Sequence, residues 1–228
     1  MLVSEGRMDK RVSNAGGGCP MDELSELLKN VQWLNGNWRA GWALDWHTVY
    51  SVKMPEGRFQ TQRTTIGEQL YRLKYRYSES PDSCPEIVSE IVQFLSRKAA
   101  SFLTTRRIFR YLDAIVPVPP SKSRPFQPVE AIALELGKLI DLPVVTDYLI
   151  KVKETPPLKS FDDPLERKEL LKGAFKVKDL RFEGKVLLVF DDIYRSGETL
   201  TEITRVLYEE GKVRAVYVLT LTKTRVKK

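Results

Sequence analysis

Apolar residues recur along this chain with two different spacings, and the change from one to the other divides it into strands and helices. From Asp113 onward, short solid apolar runs alternate with segments whose apolar residues return every three or four positions. The run Val186 to Phe190 is too short for a helix and suits a parallel strand covered on both faces. The segment from Asp113 to Val116 reads the same way, until Pro117 and Pro119 exclude a central strand beyond it. Leu200, Ile203, Val206 and Leu207 mark a helix over Thr199 to Glu210, and Val129 to Ile140 predicts another. Val144 to Val152 and Val213 to Thr220 predict further strands. This alternation predicts an α/β fold, with an open, mainly parallel sheet flanked by helices and ligands at the carboxyl ends of its strands.

The N-terminal part has a different texture. From Trp38 to Arg63 aromatic and polar residues alternate, as in Trp42, Leu44, Trp46 and then Val49, Tyr50, Val52, which predicts strands or a hairpin turned at Pro55-Glu56-Gly57. Ile66, Leu70, Leu73 and Lys74-Tyr75 fit a helix, and Ile87, Ile91, Val92, Phe94, Leu95 and Phe102 fit a second that ends near Thr104-Thr105. Residues 1–20 carry Gly16-Gly17-Gly18, mixed charge and no apolar period, and read as a disordered tail. The expected organisation is therefore a tail over 1–20, a small hairpin and helical subdomain over 21–110, and the α/β domain over 111–228. At 228 residues and 42% hydrophobic the chain is long enough for one core with such an addition. Trp33, Trp38, Trp42 and Trp46 can pack on that core or on a second copy in a homodimer; both readings stay open.

The candidate chemistry lies where Val186 to Phe190 ends. Asp191 and Asp192 follow, then Arg195-Ser196-Gly197-Glu198-Thr199, small or hydroxylated residues around a glycine that can take positive φ, and then a helix. Such a turn aims backbone N–H groups and the positive end of a helix dipole at one spot and favours a phosphate dianion, with Ser196 and Thr199 adding hydroxyls. Two acids would repel a lone phosphate, but they suit sugar hydroxyls or a hydrated Mg²⁺ beside it. Neighbours on a regular strand point to opposite faces, so the pair is expected to serve one ligand because the strand is already breaking into the loop. A second block, Asp113 through Pro117-Val118-Pro119-Pro120 to Ser121-Lys122-Ser123-Arg124, runs an apolar strand into a cationic loop. It is either a rigid surface loop with solvated charges or a diphosphate site lying across the sheet from the first loop.

The run Val189-Phe190-Asp191-Asp192-Ile193-Tyr194-Arg195-Ser196-Gly197-Glu198-Thr199-Leu200 resembles the 5-phosphoribosyl-1-diphosphate (PRPP) motif of type I phosphoribosyltransferases. Asp113 to Arg225 resembles their ComF-like, amidophosphoribosyltransferase-like branch, through Val116-Pro117-Val118-Pro119, Phe126-Gln127, Lys151-Val152-Lys153-Glu154-Thr155-Pro156-Pro157, Arg167 and Gly173-Ala174-Phe175. The resemblance implies transfer of the phosphoribosyl group to a nitrogen acceptor, with Mg²⁺ as cofactor. It implies that Asp191 and Asp192 hold the ribose 2′- and 3′-hydroxyls, with Mg²⁺ carried by PRPP and Asp191 and Asp192 its candidate protein ligands. Arg195, Ser196, Gly197, Glu198 and Thr199 would wrap the 5′-phosphate, Ser121, Lys122 and Arg124 would meet the diphosphate, and Thr155 to Arg167 would form a lid. Arg167 itself reaches the ligand or is a solvated helix-face arginine. Arg195 stands where the family usually has a hydroxyl residue, and Glu198 adds a negative charge that Arg195 is placed to offset. The four-cysteine zinc ribbon that commonly opens ComF-like proteins is missing, since Cys19 and Cys84 form no Cys-x-x-Cys pair. The branch also implies an alternative, a non-catalytic PRPP- or nucleotide-sensing protein associated with DNA uptake.

Charge changes the picture little. Lys and Arg number 37 against 30 Asp and Glu, a formal +7, which permits a polyanion such as single-stranded DNA without demanding one. The basic groups at Arg97-Lys98, Arg106-Arg107-Arg110 and Lys223 to Lys228 otherwise read as a solvated face. His47, the only histidine, reads as a partly buried packing residue. No apolar h-region or membrane-length run is visible, and with two cysteines the expected location is the cytoplasm, away from membranes.

Overall fold

The computed structural model describes residues 20–77, 80, 83–121, 124–156, 161 and 163–225. The expected tail over 1–20 therefore lies outside the described residues except for Pro20, as do Lys122, the lid residues 157–160 and 162, and the last three basic-tail positions. Six α-helices and nine strands follow in the order α1 (Pro20–Asn30), β1 (Gln32–Trp33), β2 (Ala40–Trp46), β3 (Thr48–Lys53), β4 (Phe59–Arg63), α2 (Thr65–Arg72), α3 (Pro85–Thr104), β5 (Ala114–Pro117), α4 (Pro128–Ile140), β6 (Leu149–Lys151), α5 (Pro164–Leu171), β7 (Phe175–Val177), β8 (Val186–Tyr194), α6 (Glu198–Glu209) and β9 (Ala215–Lys223), among the described residues. A π-helical turn, Leu73–Tyr77, continues α2. None of the described helices is long and apolar enough to cross a membrane.

The central sheet has the order β1-β2-β9-β8-β5 and is parallel throughout except for the short β1, so the fold is the expected open, mainly parallel α/β sheet. Strand β8 shows why a solid apolar run was needed. Val186, Leu188 and Phe190 point into one core with Leu70, Leu95, Phe102, Ile132 and Leu136 of α2, α3 and α4. Leu187 and Val189 point into the other with Ile203, Val206 and Leu207 of α6. Both faces are covered, as parallel sheets require. The Cβ that Gly137 lacks would stand 2.3 Å from Val144 Cγ2, so α4 can lie close to the segment that follows it.

Two expectations change in detail. The alternating aromatic segment divides: β2 joins the central sheet beside β9, with Ala40 opposite Tyr217 and Trp46 opposite Lys223, whereas β3 and β4 form the hairpin, turned where Gly57 takes φ 78°. The sheet thus draws strands from both sides of residue 110. The predicted strand Val144 to Val152 also divides. Val144 makes one parallel bridge to Ile115 of β5, and only Leu149–Lys151 forms a strand, paired with β7 away from the main sheet. The polar Thr146 and Asp147 interrupt the apolar run between the two pieces.

Candidate functional site

Adjacent strands β5 and β8 run parallel, yet the chain leaves them in opposite directions. After β5 it enters α4 on the face of α2 and α3, and after β8 it enters α6 on the other face. A crevice opens at such a divergence, outside the carboxyl ends of the strands. Here it is a cavity of about 400 Å³ lined from β5 by Pro117 to Ser121, from β8 by Asp191, Asp192 and Ile193, and from beyond them by Arg195 and Thr199. Arg124 and Lys74 also line it, as do Lys151, Thr155, Pro156, Leu171 and Phe175.

The acids do not leave the strand. Register holds from Val186 opposite Ala215 to Tyr194 opposite Lys223, so the expected break after Phe190 is corrected: β8 stays regular through both carboxylates. Pairing with β5 does end, with Pro117 opposite Phe190, and Asp191 to Tyr194 run past it with a free edge toward the cavity. By the strand's alternation Asp192 lies on the face of α2 and Asp191 on the face of α6, and the cavity reaches both around that edge. The Asp191 carboxylate accepts from the Asp192 backbone N–H at 2.8 Å. Burial, then the neighbouring Asp192 charge, holds its pKa well above the ordinary carboxylate range.

Asp192 is buried, and Lys74 Nζ sits 2.5 Å from its Oδ2. Burial by itself would pull the lysine down, but the ion pair outweighs it and the pKa ends above its ordinary value. Lys74 was not among the residues expected in the site. It belongs to the π-helical turn, and such bulges re-aim side chains that an α-helix would place elsewhere. The signal available was its spacing, since Ile66, Leu70 and Lys74 recur every four residues and place the cation on the apolar stripe.

The loop after β8 gathers its residues differently from expectation. Gly197 has φ 94° and caps α6, and a Cβ there would meet Tyr194 Oη at 2.6 Å, so both backbone angle and space demand glycine. Arg195 and Thr199 face the cavity, whereas Ser196, Gly197 and Glu198 do not line it. The Ser196 hydroxyl donates to the Glu198 carboxylate. Arg195 does not offset Glu198, which is a correction: Arg167 Nη1 lies 3.4 Å from Glu198 Oε1 and 3.2 Å from Ser196 Oγ, while Arg195 makes no ion pair among the described residues. The reason is geometric, because α5 packs on α6 and carries Arg167 to the loop from outside the cavity, where its Nε also donates to Phe161 O at 2.8 Å.

Ser121 and Arg124 line the cavity as expected residues, and Arg124 Nη1 donates to the backbone oxygen of Lys74 at 3.2 Å. Thr155 also lines it and bonds Lys151 Nζ at 2.8 Å; burial lowers the Lys151 pKa. Gln127, Lys151 and Phe175, which carried the resemblance without being assigned to the site, also line the cavity, as does Leu171. His47 is half-buried, its Nδ1 3.1 Å from the Thr222 hydroxyl, which in turn donates to the Asp192 carbonyl at 3.4 Å. Burial, then the charge of Arg63, lowers its pKa to about 4, so the ring is neutral. Among the described residues no three His, Cys, Asp or Glu side chains cluster as a metal cage. Two carboxylates, one of them committed to Lys74, could hold a Mg²⁺ only if it kept most of its own waters or drew oxygens from a ligand.

No family model matches this chain, and no curated protein does. Among solved structures it is similar to the UMP synthase of Leishmania donovani at 16% identity and TM-score 0.37, over 88% of this chain and 31% of that one. It is similar to a hypoxanthine phosphoribosyltransferase of Staphylococcus aureus at 21% identity and TM-score 0.36, over 58% and 62%. It is also similar to the glutamine PRPP amidotransferase of B. subtilis, complexed with ADP and GMP, at 18% identity and TM-score 0.43, over 75% and 35%. This chain spans less than two thirds of the length of each.

Proposed function

We propose that the protein is a Mg²⁺-dependent phosphoribosyltransferase that binds PRPP and passes its phosphoribosyl group to a nitrogen acceptor. The observation that carries this reading is the pair Asp191 and Asp192 on the free edge of β8, inside a cavity with cations at both ends. The carboxylates accept hydrogen bonds from the ribose 2′- and 3′-hydroxyls. Arg195, Thr199 and the backbone at the start of α6 take the 5′-phosphate, with Ser196, Gly197 and Glu198 shaping that loop from behind. Ser121 and Arg124 take the diphosphate, together with Lys122, which lies outside the described residues. Thr155 covers the ligand and Arg167 ties the cover to the loop.

In the reaction the acceptor nitrogen forms a bond to C1′ while the C1′–O bond breaks and diphosphate leaves with the bonding electrons. The protein holds the donor in place and stabilises separating charge; no protein nucleophile is required. Magnesium, when bound with PRPP, would supply positive charge to the leaving diphosphate, and Asp191 and Asp192 are the residues that would hold it.

Calorimetric titration with PRPP, with and without Mg²⁺, tests the reading. Binding should depend on Mg²⁺, and the Asp191→Asn, Asp192→Asn double variant should lose about 100-fold or more in affinity while circular dichroism stays that of a folded chain. Unchanged affinity in that variant would sink the assignment. The Ser196–Glu198–Arg167 closure favours a second reading, a PRPP- or nucleotide-responsive binding protein, because the loop's own carboxylate already engages groups a phosphate would use. Diphosphate release in the presence of a nitrogen base separates the two, since a sensor binds without releasing it.

A further inference from the structure

The wall of the cavity opposite α6 is built by a part of the chain that the motif residues do not include. The π-helical turn Leu73–Tyr77 brings Lys74 to the cavity beside Ser121 and Arg124. Leu70 and Leu73, both buried, fix the turn to the core. Arg124 fixes it to the cationic loop through the Lys74 carbonyl. In the ion pair the Asp192 side chain is 6% exposed and the Lys74 side chain 28%, so the pair is open to the cavity on the cation's side.

We propose that Lys74 is a substrate-binding residue that contacts the diphosphate of the donor, so that the segment preceding α3 completes the site. The inference rests on the reading of the cavity as a PRPP site. The cations then divide by position. Arg195 stands at the α6 end, where the 5′-phosphate goes, while Lys74 and Arg124 stand together on the side of α2 and β5. Between them the acids hold the ribose. A lysine serving only as counter-ion to Asp192 has no need of the cavity, whereas one that lines it between an acid and an arginine is placed to exchange part of its contact for an anionic oxygen.

The test measures binding of three ligands with Mg²⁺, namely PRPP, ribose 5-phosphate and inorganic pyrophosphate, to the full chain and to Lys74→Gln and Lys74→Met. The glutamine amide still donates to Asp192, so this variant keeps the fold if the methionine variant loses it. We expect Lys74→Gln to weaken PRPP and pyrophosphate by about tenfold or more and ribose 5-phosphate by no more than about twofold. Equal loss for PRPP and ribose 5-phosphate would overturn the proposal, showing a lysine that acts only by positioning Asp192. Unchanged PRPP binding in Lys74→Gln would overturn it as well. If the unaltered chain binds none of the three ligands, it is the PRPP reading of the cavity that fails, and this proposal with it.

Discussion

At the scale of single residues the site depends on atoms that are missing as much as on those present. Gly197 sits at φ 94° under the Tyr194 ring, and Tyr194 in turn packs edge-on against Trp38. Gly197→Ala should cost about 1–3 kcal/mol of stability, from the strained backbone together with displacement of that ring. On the proposed function it should also weaken PRPP binding by moving Arg195 and Thr199; denaturant unfolding and titration check the two effects, and an unchanged unfolding midpoint would contradict the account. Glycine's role at this position was legible because a turn between a strand and a helix needs positive φ. Lys74 was harder to read: Lys74-Tyr75 fits a helix with Ile66, Leu70 and Leu73, but only its four-residue spacing from Leu70 and Ile66 places it on the apolar face. Whether it meets Asp192 depends on a π-turn that side-chain periodicity does not reveal.

At the scale of elements, one ion pair ties α5 to the first turn of α6. Arg167 and Glu198 are mostly buried and joined through Ser196, so Arg167→Met should release α5 from the loop while Leu171 still packs beneath it. We expect amide exchange across Pro164–Leu171 to quicken by roughly tenfold, with α6 unchanged, because a pair of this burial contributes about 1–2 kcal/mol. Equal exchange in both proteins would show that packing alone holds the helix. Strand β8 was legible as far as Phe190 because both its faces are apolar to that point. Its continuation through Tyr194 was not, since residues that face a cavity are polar and break the period that identifies a strand. The segment from Val144 to Val152 failed for the opposite reason: its apolar residues belong to two different pairings, and sequence spacing does not distinguish them.

At the scale of the whole molecule, acid stability reports on the half-buried ring of His47. Its ordinary pKa is about 6.5 and its folded value about 4, so the unfolded chain binds the proton more readily. The stability this provides is present above pH 6.5 and is lost as the pH falls toward 4. Asp191 acts in the opposite sense, because its raised pKa makes the folded state lose stability as rising pH ionises it. Comparison with His47→Gln isolates the histidine: the variant should lose less stability between pH 7 and 4, by up to about 3 kcal/mol in urea titrations. Parallel slopes for the two proteins would contradict the neutral, half-buried ring. The α/β class of the molecule was legible from alternating periods, but the placement of β2 was not, because a parallel partner leaves no local mark and Ala40 lies opposite Tyr217.

That pairing has a consequence in time. Strand β9 is the last strand in chain order, yet it lies between β2 and β8 and holds the two halves of the sheet together. A chain emerging from the ribosome therefore exposes β2 with only the two residues of β1 beside it, and β8 with only β5, until nearly every described residue has been made. Closing contacts over so long a loop is slow, and open strand edges attract other chains while they wait. Refolding yield should accordingly fall with protein concentration more steeply than for a sheet assembled in chain order.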